Sequence, residues 1–352
     1  MYKCAIIAVG GSRAKGHAEA YKHIARGQLV AASTRNSGKL QDFGDKFQIK
    51  NLYTDYREMM EKEKPDLIHV NTPPDVRLEI IVAAQEAKIP ALIIEKPLAM
   101  QGEDYAAIRD YVQWTKTQAW RTKIAINHQL HFHPRRQALQ KLVAEGKIGA
   151  LRFVEASSGM NLAYQGTHSL QAIGAFLPGS RPVSVFGQAS GATGLADTPK
   201  KHFAPDESLL SIKYDKGIDA VLRCGANAPR VKEGPIHQHK RIAVYGTRGH
   251  AAWTMWSWET LIDGRLEQGS HEYPEEDILG QARMTEAMFD WLEDEGKVHP
   301  LNIDGALVDF NTILGLYTSV IHRKVIALPV VPEDDLIAKL RTALSRDTEA
   351  RP

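Results

Sequence analysis

The chain has 352 residues, of which 43% are hydrophobic and 24% charged, and its formal net charge at pH 7 is +2. This length is sufficient for two domains with separate cores, and the charge argues against a nucleic-acid footprint or a polybasic membrane anchor. Cys4 and Cys224 form no CxxC pair, which disfavours a disulfide framework and a cysteine metal site. Because no apolar run reaches about 18 residues or resembles a signal peptide, we expect a cytoplasmic protein without a membrane span.

The first 127 residues alternate short apolar runs with helical patterns. The predicted strands are 5–9, 29–33, 66–71, 91–94 and 123–127. The helices predicted between these strands are 17–26, 78–87 and 102–114. Alternation of this kind predicts α/β architecture with a doubly wound parallel sheet in a domain spanning 1–127.

The pattern changes after residue 128, where strand signals become dense. A helix at 134–146 is followed by predicted strands at 151–157, 183–190, 208–214, 218–224, 241–245, 251–255 and 260–262. Turn signals between them predict a mostly antiparallel sheet. Helices at 278–293 and 304–322 follow, and their apolar residues, such as Met288 and Phe289, are expected in the core. We therefore predict a second domain over 128–352.

A pair of glycines, Gly10 and Gly11, follows the first predicted strand and precedes a helix. Glycines in this context allow the backbone to approach a pyrophosphate, which the N–H groups of the following helix then bind. The match to G-x-G-x-x-G is imperfect, because Ala8 replaces the first glycine and the loop before Ala14 is one residue longer. We expect Gly10, Gly11, Ser12, Arg13 and Ala14 to bind a dinucleotide; a plain tight turn is the alternative.

The second strand ends in Ser33-Thr34-Arg35, without the acidic residue that accepts hydrogen bonds from the ribose of NAD. Ser33 and Thr34 carry hydroxyl donors, and Arg35 pairs well with a phosphate. The pattern therefore favours NADP over NAD as the cofactor. Alternatively, Arg35 stacks on adenine and the 2′ position is not discriminated.

Glu95-Lys96-Pro97 closes a buried apolar run and is the most informative motif of the chain. Pro97 disfavours helix at Lys96, which is therefore expected at the carboxyl end of a strand, where ligands of open α/β sheets bind. A lysine held there is readily desolvated and then exchanges a proton near neutral pH. The alternative is an ordinary charged turn. Asn127 ends the next strand and is either near the nicotinamide or a buried structural asparagine.

These motifs together resemble the Gfo/Idh/MocA family of NAD(P)-dependent sugar and cyclitol oxidoreductases. The resemblance also rests on Asn71-Thr72-Pro73-Pro74, on 144–149, on Gly166-Thr167-His168 and on 245–249. It implies a Rossmann domain over 1–127, with Asn71, Thr72, Pro73, Glu95, Lys96 and Asn127 beside the cofactor. It also implies that 128–352 is a substrate-binding α/β domain with a large open sheet, through which the chain forms a homodimer or homotetramer.

The resemblance further implies the catalytic groups. Lys96 is expected near both the nicotinamide and the reacting hydroxyl. The family motif Asp-x-Gly-x-His reads Tyr164-Gln-Gly-Thr-His168 in this chain, so the histidine is kept and the aspartate is replaced. Because a cation lowers the pKa of a nearby tyrosine, Tyr164 can also relay a proton. We rank His168 first as the base, then Lys96, then Tyr164.

Three functions are consistent with these residues. The first is hydride transfer between NADP or NAD and a hydroxyl carbon of a sugar, glycoside or cyclitol, with a small-molecule carbohydrate as the only partner besides a second copy of the chain. The second is an NAD-dependent glycosidase that oxidises its substrate transiently and eliminates the aglycone. The third is a dinucleotide-binding sensor without catalysis.

Two further clusters remain open from the sequence. Arg135-Arg136 begins a predicted helix, where arginines reach solvent, an acidic partner or an anionic group of the substrate. Trp253, Trp256 and Trp258 lie close together and fit either a sheet interface or stacking on a sugar ring. Paired histidines at 131–133 and 237–239 lack a third ligand, so no metal site is expected.

Overall fold

The computed structural model describes residues 1–196, 201–230 and 234–349. Its contacts divide the chain into two compact units that each comprise three segments. The first unit is formed by Met1–Leu98, Ala107–Phe132 and Pro274–Asp304. The second unit is formed by Ala99–Ala106, by His133–Tyr273 and by the chain from Gly305 onward.

The two units do not correspond to a single division of the chain after residue 127, because 274–304 belongs to the first unit. The predicted domains, 1–127 and 128–352, stay a prediction as functional divisions. Their second range includes 197–200, 231–233 and 350–352, which lie outside the described residues.

The first unit contains a six-stranded sheet in which every strand is parallel to its neighbours. Its strands are β1 Tyr2–Ile7, β2 Gly27–Ser33, β3 Asn51–Tyr53, β4 Leu67–Val70, β5 Ala91–Glu95 and β6 Lys123–Asn127. They lie in the order β3-β2-β1-β4-β5-β6. The order reverses between β1 and β4, where such sheets bind ligands beyond the carboxyl ends of their strands. The predicted doubly wound parallel sheet is thereby confirmed.

The helices of the whole chain are α1 Ser12–Ala20, α2 Ser37–Phe47, α3 Tyr56–Glu63, α4 Arg77–Glu86, α5 Gly102–Thr115, α6 Pro134–Ala144, α7 Thr167–Phe176, α8 Tyr273–Glu293, α9 Ile303–His322 and α10 Leu336–Glu349. α1 begins five residues before the predicted start at 17, so Ser12, Arg13 and Ala14 form its first turn instead of a loop. The extended Gly11 is its N-cap. Within the described residues, we find no helix with the length and apolar character that crossing a bilayer requires.

The second unit contains a nine-stranded sheet that is antiparallel except for the pairing of β7 with β10. Its strands are β7 Leu151–Ser158, β8 Pro182–Ser190, β9 Glu207–Tyr214, β10 Asp219–Cys224, β11 Lys240–Gly246, β12 Gly249–Thr254, β13 Ser257–Ile262, β14 Arg265–Ser270 and β15 Ile326–Ala327. Their order is β14-β13-β12-β11-β7-β10-β9-β8-β15. The predicted large, mostly antiparallel sheet is thereby confirmed.

Helix α8 fills part of the core of the first unit. Met284, Met288 and Phe289 are fully buried and cluster with Cys4 and Leu67 of the parallel sheet. The Phe289 ring stacks on that of Tyr2, with centroids 4.4 Å apart. The expectation that these apolar residues of α8 are core residues is correct.

Candidate functional site

The glycine turn of the first unit has the geometry required to bind phosphate. Ala8 has a φ of 66°, a left-handed conformation that glycine adopts at lower cost, which explains why related fingerprints place glycine there. Gly10, Gly11 and Ser12 are exposed, and the N-cap residue Gly11 provides no side-chain cap for the first N–H groups of α1. A Cβ atom at Gly11 would meet no atom within 4 Å, so the turn is open on that side. These residues therefore fit the pyrophosphate of a dinucleotide.

The end of β2 lies beside this turn. The Ala8 N–H donates to the Ser33 carbonyl at 2.8 Å, which fixes the two strand ends together. Thr34 is half-buried and Arg35 is exposed. The side chain of Lys39 lies over Gly10, with its Cδ 3.2 Å from the position a Cβ would take there. Two cationic side chains and no carboxylate thus occur between residues 33 and 39.

The turn after β4 is tied to both neighbouring strands. The backbone N–H of Asn71 donates to the Ile7 carbonyl at 3.1 Å, and its side-chain amide donates to the same oxygen at 3.3 Å. Arg77 Nη2 donates to the Thr72 carbonyl at 3.1 Å and reaches the Lys96 carbonyl at 3.5 Å. Burial lowers the pKa of Arg77 to about 9, and only 1% of the residue is exposed. This guanidinium therefore connects the predicted cofactor turn with the predicted catalytic lysine.

Glu95 is the centre of a buried polar network at the ends of β5 and β6. Its Oε1 accepts a short hydrogen bond from Asn127 Nδ2 and one of 3.3 Å from His17 Nε2. Arg13 Nε lies 3.7 Å from the same oxygen. Glu95, Lys96, Asn127 and His17 are all buried, so their polar contacts are made in a low dielectric.

The charges in this network follow from burial and contact. Burial alone raises the pKa of Glu95, but the hydrogen bond from His17 and the charges of Arg13 and Lys96 outweigh it and lower the pKa to about 2. Burial lowers the pKa of His17 below its ordinary value of 6.5, against the opposing effect of Glu95. At neutral pH we therefore assign an ionised Glu95 and a neutral His17 that donates through Nε2.

The imidazole ring of His69 packs against that of His17. The rings of His17 and His69 are 4.5 Å apart, and His69 Nε2 is 2.9 Å from the Tyr21 hydroxyl. Burial lowers the pKa of His69 well below its ordinary value, so this ring is also neutral. Sequence reasoning did not identify His17 or His69. The signal was present for His17, because with α1 starting at Ser12 it falls on the buried face of the helix with Ala14 and Ala18.

Helix α8 adds polar groups that sequence reasoning also missed. Gln281 Oε1 accepts a hydrogen bond of 3.2 Å from Asn127 Nδ2. Asp277 accepts one of 2.7 Å from Gln129 Nε2 and lies 3.6 Å from Arg13 Nη1. Asp277 and Gln281 are four residues apart and thus share a helix face, which was the available signal. Their proximity to β6 follows from the return of a distant segment and has no local signature.

The first unit therefore brings all the predicted cofactor residues to one edge of its sheet. Because parallel strands all end at that edge, the groups following β1, β2, β4, β5 and β6 converge there. These predicted residues are Gly10, Gly11, Ser12, Arg13, Ala14, Ser33, Thr34, Arg35, Asn71, Thr72, Pro73, Glu95, Lys96 and Asn127. Their individual roles stay predictions.

Tyr164 and His168 belong to the second unit. Tyr164 is half-buried in a π-helical turn, Leu162–Gly166, where its N–H donates to Asn161 Oδ1 at 2.9 Å. Its ring makes an edge contact with that of His202, with centroids 5.3 Å apart. His168 is buried in the first turn of α7. The joint action of these residues with Lys96 spans both units and stays a prediction.

The described residues contain no group of three or more histidine, cysteine, aspartate or glutamate side chains suited to a metal ion. Cys4 and Cys224 are both buried, and burial raises the pKa of each thiol.

Comparison with known proteins supports the identity of the first sheet. Residues 2–122 match a family model, Gfo/Idh/MocA, described as an oxidoreductase family with an NAD-binding Rossmann fold. A trans-1,2-dihydrobenzene-1,2-diol dehydrogenase from Bos taurus is 24% identical over 243 residues. That match covers 64% of this chain and 65% of the bovine protein, which is just under two thirds of its length.

Solved structures share the fold over nearly the whole chain. An oxidoreductase from Agrobacterium radiobacter, in complex with NAD+, L-tartaric acid and magnesium, superimposes with a TM-score of 0.77 at 16% identity. It covers 93% of this chain and 98% of that one. An aldose-aldose oxidoreductase from Caulobacter crescentus gives a TM-score of 0.75 at 18% identity, covering 93% and 99%.

The fold, the glycine turn and the family match agree with one another. The expected NAD-binding Rossmann fold is confirmed over residues 2–122, and so is the resemblance stated from the sequence motifs. Residues 2–122 thus match the Gfo/Idh/MocA oxidoreductase family, with its NAD-binding Rossmann fold, that the sequence motifs resemble.

Proposed function

We propose that this protein is an NAD(P)-dependent oxidoreductase that interconverts a hydroxyl carbon and a ketone in a sugar, glycoside or cyclitol. One observation carries the proposal: the buried Glu95-Lys96 strand end lies at the same edge of the sheet as the open glycine turn. The bovine relative is named a dihydrodiol dehydrogenase, which supports an alcohol as the group oxidised.

The chain's own residues divide the work of binding. Gly10, Gly11 and the first turn of α1 hold the pyrophosphate through backbone N–H groups. Ser33, Thr34 and Arg35 surround the adenosine ribose, and the two cations near it, Arg35 and Lys39, favour NADP. Asn71, Thr72, Pro73 and Asn127 line the cleft toward the nicotinamide.

Proton transfer falls to Lys96, His168 and Tyr164. A bound nicotinamide would supply the acceptor for the hydride that leaves the hydroxyl-bearing carbon. The hydroxyl proton passes to a protein base, for which His168 ranks before Lys96 and Tyr164. The carbon is thereby oxidised to a ketone, and the base returns its proton to solvent.

Glu95 fixes the lysine end of the strand in this proposal. Its ionised carboxylate is held by His17, Asn127 and Arg13, so it contributes a permanent negative charge next to the Lys96 ammonium. A pre-oriented lysine needs little rearrangement during the reaction.

We further propose self-association through the open face of the nine-stranded sheet. Residues alternate between buried and exposed along β9, and Leu209 lies on the exposed face. Phe186 of the adjacent β8 is 41% exposed. Large apolar side chains exposed on the same face of adjacent strands favour contact with a second copy of the chain.

A substrate panel tests the oxidoreductase proposal. Sugars, glycosides and cyclitols are incubated with NAD+ or NADP+ while reduced cofactor is followed by absorbance and products by mass spectrometry. We expect reduced cofactor to accumulate with one compound together with a product lighter by two hydrogens. Aglycone release without reduced cofactor would instead establish the redox-neutral glycosidase. If neither reduced cofactor nor product is detected although cofactor binds, the dinucleotide-binding sensor would be favoured.

A further inference from the structure

We propose that Arg136 and Trp253 of the second unit form a binding subsite for a carboxylate, so that the substrate is an acidic sugar. This inference rests on the proposed function and deepens it by naming the substrate class.

Within the described part of the chain, Arg136 is a buried cation without an anionic partner. Only 1% of the residue is exposed, and its Nη2 donates to the neutral side chain of Gln171 at 2.8 Å. Among the residues that the structure describes, no carboxylate forms an ion pair with it, and burial lowers the pKa of its guanidinium to about 9 without an opposing acidic group. A buried charge of this kind is costly unless an anion pairs with it, so the arrangement calls for one.

Two hydrogen-bond donors in this region lack acceptors among the described residues. Arg136 Nε is buried without a partner, and so is the indole Nε1 of Trp253. The guanidinium carbon lies 5.8 Å from the centroid of the Trp253 ring. Both groups can donate and neither can accept. Unsatisfied donors at a buried site require an explanation, and a ligand with two acceptor oxygens, such as a carboxylate, supplies one.

The rings that contact Trp253 among the described residues belong to two histidines. The His133 ring makes an edge contact with Trp253 at 5.4 Å and lies 4.3 Å from the His271 ring. The His271 ring in turn stacks on Trp253 at 5.9 Å. Flat rings of this kind accept the apolar face of a sugar. These rings therefore suit the sugar part of the substrate.

The subsite adjoins the helix that carries the predicted base. Arg136 reaches Gln171 on α7, and His168 precedes Gln171 by three residues on the same helix. Residues three apart share a helix face. A carboxylate bound by Arg136 would therefore orient the substrate along the face on which His168 acts.

The adjacent Arg135 offers a matched control. It is exposed, and its guanidinium carbon lies 3.9 Å from the centroid of the Trp258 ring. Arg135→Gln removes the same charge one residue away without touching the two unsatisfied donors. The comparison between Arg135→Gln and Arg136→Gln thus separates a specific contact from a change in net charge.

The test measures binding directly, by calorimetry with D-glucuronate, D-gluconate, D-glucose and acetate. We expect the wild type to bind at least one sugar acid about 10- to 100-fold more tightly than glucose, as for a hydrogen-bonded charge. Arg136→Gln should lose this preference and Arg135→Gln should retain it. Equal affinity for acids and glucose in the wild type, or an unchanged preference in Arg136→Gln, would overturn the proposal.

Two further outcomes are distinguishable. Acetate binding as tight as that of the sugar acids would assign a small-anion site and overturn the acidic-sugar inference. If Arg136→Gln fails to fold, Arg136→Lys keeps the charge and loses the Nε donor, and a retained but weaker acid preference is expected. Because binding needs no turnover, absence of cofactor reduction would contradict the proposed function alone. If Arg135→Gln and Arg136→Gln oxidise neutral sugars with the same substrate selectivity, only the carboxylate subsite is contradicted.

Discussion

Lys96 is the residue on which the proposed chemistry most depends. It is buried at the end of β5 next to the ionised Glu95, whereas the phosphate-binding turn follows β1. We expect Lys96→Ala to lower kcat by about 100- to 10,000-fold, the usual contribution of a positioned proton-transfer group. The dissociation constant for NADP+ should change by less than about threefold. Steady-state kinetics and calorimetry test this, and near-wild-type turnover would remove Lys96 from the catalytic assignment.

Glu95 makes stability depend on pH in a defined window. Its pKa is about 2 in the folded chain against an ordinary value of 4.5, because His17, Arg13 and Lys96 stabilise the charged form despite burial. A lowered folded-state pKa contributes stability that is complete above pH 4.5 and is lost as the pH falls toward 2. This loss amounts to about 3 kcal/mol of unfolding free energy.

Glu95→Gln isolates that contribution. Urea unfolding is measured for both proteins at a series of pH values between neutral and acidic. We expect the wild type to lose more stability than the variant below about pH 4.5, since glutamine does not titrate. The lowered pKa of His17 also makes the protein less stable on acidification, but this loss begins near the higher ordinary pKa of histidine, 6.5. Parallel stability curves for the two proteins below pH 4.5 would contradict an ionised, stabilised Glu95.

At the scale of elements, the end of β2 sets the choice of cofactor. Arg35 is exposed there, beside the glycine turn and without a nearby acidic residue in the sequence. We expect Arg35→Ala to weaken NADP+ binding by about 10- to 100-fold, as for a hydrogen bond to a charged group, with a smaller effect on NAD+. Fluorescence titration with both cofactors measures this.

The exposed Arg57 of α3, which pairs with Glu79, is the control for Arg35. Arg57→Ala should leave both affinities unchanged. Equal losses for NADP+ and NAD+ in Arg35→Ala would indicate stacking on adenine, which both cofactors share.

Helix α8 stabilises the first unit although it is remote in sequence. Phe289 is fully buried against Tyr2, and a Cβ at Gly27 would lie only 2.7 Å from its ring. We expect Phe289→Ala to lower the free energy of unfolding by about 3 to 5 kcal/mol. Val298, which is 54% exposed, is the control. Val298→Ala should change the free energy of unfolding by less than about 0.5 kcal/mol. If Phe289→Ala and Val298→Ala both lowered the free energy of unfolding by similarly small amounts, the packing of α8 in the core would be contradicted.

Sequence reasoning found the strands that are buried runs of apolar residues, and missed elements without that signal. β6 has its predicted bounds, and β5 differs by one residue. β3 is three partly exposed residues, too short for periodicity to identify, and α2 and α3 on either side were missed with it. α1 was predicted to begin too late because Gly16 interrupts its helical pattern.

The same limit applies to the site. Residues next to strand ends were predicted because parallel strands share a carboxyl edge. The pairing of His17 with Glu95 joins residues 78 apart, and that of Asn127 with Gln281 joins residues 154 apart. Such pairs depend on which helix packs on which strand, and local pattern does not encode that.

For the whole molecule, the open face of the second sheet bears on assembly. Phe186 and Leu209 are exposed on the adjacent strands β8 and β9. We expect the wild type to elute as a homodimer or homotetramer in size-exclusion chromatography with light scattering, and Phe186→Glu to shift it toward monomer, since a charge opposes apolar burial. Val298→Glu, at an exposed site of the first unit, should leave the oligomeric state unchanged. A wild-type monomer, or identical behaviour of both variants, would contradict this interface.

In the proposed function, the carboxyl edge of the parallel sheet binds a dinucleotide for hydride transfer. Calorimetric titration of the wild type with NADP+ and with NAD+ tests it most directly. We expect saturable binding of one dinucleotide per chain, tighter for NADP+, and its loss when bulky side chains replace Gly10 and Gly11. Absence of saturable binding for both cofactors, or binding unaffected by those substitutions, would contradict it.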